Sequence, residues 1–177
     1  MIRYLTGKIA NYEVCVILPS NYDQTKKYRT IYIHDGGETA KQDAHYATIP
    51  EPSHTAISGC SLEGLVSIFA SYYYPDAFHQ YISLSASFWY EDVLRYLQGE
   101  KMERQGNIHL KPTMNRQDHQ LYLYVGELER MYKEAIQRHM VDYTKKAHLA
   151  FIKEGDSESN LLFELDPEGT HDDSYMA

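Results

Sequence analysis

Thr55-Ala56-Ile57-Ser58-Gly59-Cys60-Ser61-Leu62-Glu63-Gly64-Leu65 is the stretch that decides the fold. Thr55 to Ser58 is a short β-prone run, and Gly59 to Ser61 is a turn of small residues. From Leu62 to Tyr74 the apolar positions recur at helical spacing, until Pro75 stops them. A strand that turns sharply into a helix through Gly-x-Ser is the setting of a nucleophile elbow, where the turn lifts the serine hydroxyl above the sheet. Gly59 supplies the small residue before the serine. Glu63 stands where G-x-S-x-G expects a second one, and Gly64 follows one position late. On these residues alone two readings stand: a structural strand-to-helix turn of a common kind, and a nucleophilic serine at Ser61.

On the amino-terminal side, Tyr12 to Leu18 is β-rich and ends at Pro19, and Ser20 to Lys27 is a loop. Tyr28 to His34 is a second strand, delivering Asp35-Gly36-Gly37. Glu38 to His54 contains Pro50 and Pro52 and reads as loop with one helical turn at most. On the carboxyl-terminal side, Tyr81 to Ser85 returns to strand and Leu121 to Val125 is another. Met140, Tyr143, Thr144, Ala147, Ala150 and Phe151 share one helix face, and Leu161 to Leu165 is the last strand. Strands alternating with helices predict an α/β fold around a mostly parallel sheet, with the site at the carboxyl ends of its strands. The 177 residues fit one domain, 1–177.

Composition excludes several function classes. A net charge of -8 and a pI near 5.5 argue against a nucleic-acid partner, which needs a basic face. The start, Met1 to Lys8, carries no apolar signal run, and no stretch approaches a membrane span. A cytoplasmic chain without membrane partners is the expectation. Cys15 and Cys60 make no CxxC spacing and are expected to be reduced and buried. The nine histidines, among them His45, His54, His119 and His139, form no HExxH, so neither a metal nor a cofactor is expected.

A serine nucleophile needs a base and an acid to orient that base. Asp166-Pro167-Glu168-Gly169-Thr170-His171 places a histidine in the loop after the last strand; the bland alternative is a solvated tail histidine. Gly126-Glu127-Leu128-Glu129 follows the strand ending at Val125, so either carboxylate could orient an imidazole. Its bland alternative is an acidic first turn favoured by the helix dipole. The order serine, acid, histidine is that of α/β-hydrolases.

Taken together these blocks resemble the putative esterase (esterase D-like) family of α/β-hydrolases. Thr55 to Leu65, Tyr74 to Phe78 and Ser85 to Trp89 look like its "AGHSLGGL", "YPDLF" and "SPSLWW" blocks. Tyr28 to Gly37, Val125 to Glu129 and Asp166 to Asp172 look like "YPVIYLLDGG", "VGELE" and "PEGTHD". The resemblance implies an α/β-hydrolase fold and a serine esterase acting on a small ester through an acyl-enzyme. Ser61 would be the nucleophile, His171 the base and Glu129 the acid, with Glu127 in reserve. The amides of Leu62 and of Gly37 or Glu38 would form the oxyanion hole, and Trp89 would line the pocket. Of the family's branches, which include feruloyl esterases and S-formylglutathione hydrolases, "VGELE" and "GTHD" lean towards siderophore esterases.

The chain also departs from that pattern. A further strand and two helices that the family places between the glycine loop and the elbow are replaced by Glu38 to His54, and the closing helix after the histidine is expected to be missing. Tyr12 to Leu18 and Tyr28 to His34 would then become neighbours and pair as an antiparallel hairpin. An uncovered apolar sheet face would drive assembly into a homo-oligomer. Glu63 would put a carboxylate beside the oxyanion. The alternative function is therefore a shortened, weakly active or inactive homologue that acts by binding.

Overall fold

The computed structural model describes residues 3–9, 12–18, 21–23, 25–33, 52–90, 92–100, 102–104, 107–109, 119–131 and 138–171. In chain order the elements are β1 (Arg3–Ile9), β2 (Tyr12–Leu18), β3 (Thr30–Ile33), β4 (Thr55–Cys60), α1 (Leu62–Tyr73), β5 (Gln80–Leu84) and α2 (Val93–Leu97). They continue with β6 (Met102–Arg104), β7 (Asn107–His109), β8 (Gln120–Gly126), α3 (Met140–Lys153) and β9 (Leu161–Asp166). Two 3-10 turns, Pro52–His54 and Glu127–Met131, precede β4 and follow β8. The central sheet has the order β3-β4-β5-β8-β9, and each neighbouring pair is parallel.

Parallel register aligns side chains in rows across the strands. Ile57, Tyr81, Leu121 and Leu161 form one row, and Ser83, Leu123 and Phe163 lie in the next row on the same face. These side chains make the core with Leu65 and Ile68 of α1, Val93 and Leu97 of α2, and Ala147, Ala150 and Phe151 of α3. Each large apolar side chain so buried contributes roughly 1.5–3 kcal/mol. The helical periodicity of α1 and α3 is thus spent on one sheet face. The row on the opposite face, Ile82, Tyr122 and Leu162, is more open, and Leu162 is 61% exposed. Another apolar surface lies beside α1. There Ile57, Val66, Phe69, Tyr73, Tyr74 and Phe78 line an open groove of about 590 Å³.

Among the described residues the expected hairpin of Tyr12–Leu18 with residues 28–34 is not found. β2 pairs instead with β1, from Arg3 opposite Leu18 to Ile9 opposite Tyr12, while β3 lies parallel to β4. Only Ala10 and Asn11 separate β1 from β2, and closing so short a link costs less chain entropy than closing the longer segment before β3. β1 escapes sequence reading because Arg3, Gly7 and Lys8 dilute its β-prone residues. The small antiparallel pair β6–β7 is likewise too short to show periodicity.

At the amino ends of the strands, buried His119 meets Asp156 (Nε2 to Oδ1, 3.1 Å), and Asn160 Nδ2 donates to the same oxygen at 2.6 Å. This ties the turn after α3 to the start of β8. The carboxyl ends carry the residues singled out for chemistry: Ser61 follows β4, Glu129 follows β8 and His171 follows β9. That is the edge at which open α/β sheets place their sites.

Candidate active site

Ser61 occupies the turn between β4 and α1 with φ 56° and ψ -117°. This sparsely populated conformation costs a non-glycine residue about 1–3 kcal/mol. The surroundings hold it there. Ser61 N–H donates to the carbonyl of Leu84 at 3.0 Å, and Ser61 O accepts from the amide of Ser87 at 2.9 Å. Gly59 is needed because a Cβ there would lie 2.3 Å from the carbonyl oxygen of Glu63. Gly64 is needed because its Cβ would come within 2.8 Å of Ala86 Cβ. The glycine that follows the motif one position late therefore serves the close packing of the helix start against the loop after β5. As the first residue of α1, Leu62 carries one of the amides that a helix leaves without an internal acceptor.

Glu129 and His171 come together across the ends of β8 and β9. Glu129 Oε2 lies 2.8 Å from His171 Nδ1, with the glutamate side chain fully buried and the histidine ring 16% exposed. Glu129 Oε1 accepts two further hydrogen bonds, from the amide of Gly126 at 2.7 Å and the hydroxyl of Ser85 at 2.5 Å. Such an acceptor makes Nδ1 the donor and leaves Nε2 of the neutral ring available to take a proton. Glu127 lies on the same 3-10 turn, but the contact to the imidazole is made by Glu129.

Ser85 and Ser87 carry no role that their sequence context alone reveals. Both are fully buried in the loop after β5, and Ser87 Oγ lies 3.1 Å from Ser61 Oγ. Among the described residues the Ser61 hydroxyl is bonded to Ser87 and not to His171. The signal that could have found them is a Ser-x-Ser pair at the carboxyl end of a strand adjoining the elbow strand. Trp89 packs on Val125, Met140 and Val141, with its ring edge-on to Tyr90. Its Nε1 is buried without a hydrogen-bond acceptor among the described residues. Cys60 is half-buried. Gly37 and Glu38, the other candidates for the oxyanion hole, lie outside the described residues, as does the side chain of Cys15.

A parallel sheet carrying a strained serine at a strand-to-helix elbow, with a buried acid and a histidine on later strands of the same edge, defines an α/β-hydrolase fold. Residues 41–175 match the profile of the family described as "Putative esterase", and the chain belongs to that family. It is 31% identical over 126 residues to the uncharacterised protein YbbA of Bacillus subtilis (strain 168), covering 71% of this chain and 46% of that protein. The chain thus spans about half the length of this relative. The fold is similar to that of the feruloyl esterase module of Clostridium thermocellum complexed with sinapinate. There the TM-score is 0.65 at 16% identity, over 99% of this chain and 83% of that one. It is also similar to a siderophore hydrolase of Aspergillus nidulans, with a TM-score of 0.60 at 14% identity over 98% and 90%. Among the described residues no helix is long and apolar enough to cross a membrane.

Proposed function

We propose that the protein is a serine esterase that hydrolyses a small carboxylic ester. The observation that carries this reading is the 2.8 Å contact between Glu129 and His171 at the same carboxyl edge of the sheet as the strained Ser61. In the proposed reaction Ser61 Oγ bonds to the ester carbonyl carbon while its proton passes to His171 Nε2. The imidazolium, oriented by Glu129, then gives that proton to the departing alcohol oxygen as the C–O bond breaks. Water repeats the sequence on the acyl-enzyme and releases the acid. The amide of Leu62, at the positive end of α1, faces the developing oxyanion, with a partner from the Gly37–Glu38 segment. Trp89 lines the acyl side. The similarity in fold to a feruloyl esterase module and to a siderophore hydrolase supports a feruloyl-type or siderophore ester as the substrate class.

The second reading is a shortened homologue that binds without turnover. It is favoured by the Ser61 hydroxyl being bonded to Ser87 and by the carboxylate of Glu63 in the first turn of α1. Labelling by a fluorophosphonate separates the two. The esterase reading expects the full chain to be labelled, the label to be lost in Ser61→Ala and His171→Ala, and to be kept in Cys60→Ala. Labelling that survives Ser61→Ala overturns it.

A further inference from the structure

The loop after β5 reaches both the nucleophile and the acid. Ser87 Oγ meets Ser61 Oγ at 3.1 Å, and Ser85 Oγ, two residues earlier, donates to Glu129 Oε1 at 2.5 Å. Neither serine is solvent-exposed. The loop itself is fixed: Ser85 N–H donates to the carbonyl of Tyr124 at 2.8 Å, Ser87 N–H to that of Ser61 at 2.9 Å, and Ala86 fills the space left by Gly64. Ser85 adopts φ 45°, a second strained non-glycine residue in the site, and this turn aims successive hydroxyls at groups on different strands.

We infer that Ser85-Ala86-Ser87 is a positioning brace, in which Ser87 sets the rotamer of Ser61 and Ser85 sets that of Glu129. The inference rests on the serine-esterase reading and adds residues to it. A hydroxyl has one proton to donate and two lone pairs. When Ser61 turns its proton towards His171, Ser87 becomes the donor in the same contact, so the tether persists through proton transfer and supports the oxygen as it becomes negative. Without Ser87 the Ser61 side chain is released to its other staggered positions, and the attacking geometry is less populated. Such a loss falls on the chemical step and not on substrate binding.

The test uses the full chain and a fluorophosphonate probe, in which the Ser61 Oγ–P bond forms, the P–F bond breaks, fluoride leaves and the serine proton passes to His171. Ser87→Ala is expected to slow labelling about tenfold, the effect of one ordinary hydrogen bond. On p-nitrophenyl acetate, kcat should fall by a similar factor with KM unchanged, and the melting temperature should hold. If Ser87→Ala does not fold, Ser85→Ala is read in the same way, since Glu129 keeps its bond to Gly126. A wild-type chain that is not labelled defeats the esterase reading and the brace with it. A wild type labelled at Ser61, with a folded Ser87→Ala chain labelled just as fast, overturns the brace alone. A raised KM with kcat unchanged does the same.

Discussion

Gly126 and Gly169 touch backbone to backbone: a Cβ on Gly126 would lie 2.2 Å from the carbonyl oxygen of Gly169. Leu128 N–H donates to that same carbonyl at 3.1 Å, so the turn after β8 and the loop after β9 are locked together two and three residues from His171 and Glu129. The 2.8 Å contact between acid and base depends on this crossing of two glycine backbones.

Gly126→Ala should therefore damage the site more than its distance from Ser61 suggests. The added methyl has backbone on its far side, which cannot swing away as a side chain would. Overpacking of this kind costs about 1–3 kcal/mol. A lower melting temperature and a loss of fluorophosphonate labelling are both expected. A variant that melts and labels like the wild type would show that the loops separate freely.

The same relationship shows what was legible in the sequence. Val125 to Glu129 and Asp166 to His171 stood out as blocks, and helix spacing marked α1 and α3, because local patterns encode local structure. The parallel character of the central sheet followed from strands alternating with helices, while its order β3-β4-β5-β8-β9 is set by packing that no local pattern encodes. Which carboxylate meets His171 was not legible, since Glu127 and Glu129 lie on one turn and the choice depends on how that turn is held. The role of Ser85 and Ser87 was hidden for the same reason: it exists only once β5 lies between β4 and β8. The partner of β2 is not legible either, because β1 carries a weaker strand pattern than β3.

Glu129→Gln and Glu127→Gln should separate cleanly. An amide at 129 would turn a donor or a poorer acceptor towards Nδ1, favour the wrong tautomer of His171 and disturb the bonds from Ser85 and Gly126. Loss of the acid in comparable triads lowers kcat by about 10⁴-fold. Glu127→Gln should change kcat by less than about tenfold. Steady-state kinetics on a p-nitrophenyl ester read both, and the reverse pattern would reassign the acid.

Glu63→Gly should raise kcat. Glu63 sits in the first turn of α1, where a negative charge is favoured by the helix dipole but weakens the field that Leu62 N–H offers an oxyanion. The gain should be larger at low salt, because screening weakens charge effects. An equally stable Glu63→Gly chain with unchanged kcat at low and high salt would mean that the carboxylate does not sense the reacting oxygen.

His148 should make the fold acid-sensitive. Its ring stacks on Phe163 at 4.9 Å between centroids, joining α3 to β9, and burial there holds its pKa below the ordinary 6.5. Between the lowered folded value and 6.5 the unfolded chain binds more protons than the folded one, so stability rises with pH across that window. The contribution is complete above about pH 6.5 and is lost as the pH falls towards the folded value. His148→Gln removes the titrating group while keeping a half-buried side chain of similar reach. Melting temperatures of wild type and variant, measured from roughly pH 7.5 down to pH 5, should run parallel above 6.5 and converge below it as the wild type loses stability faster. Parallel curves over the whole range would show that protonating His148 leaves the α3–β9 contact unchanged.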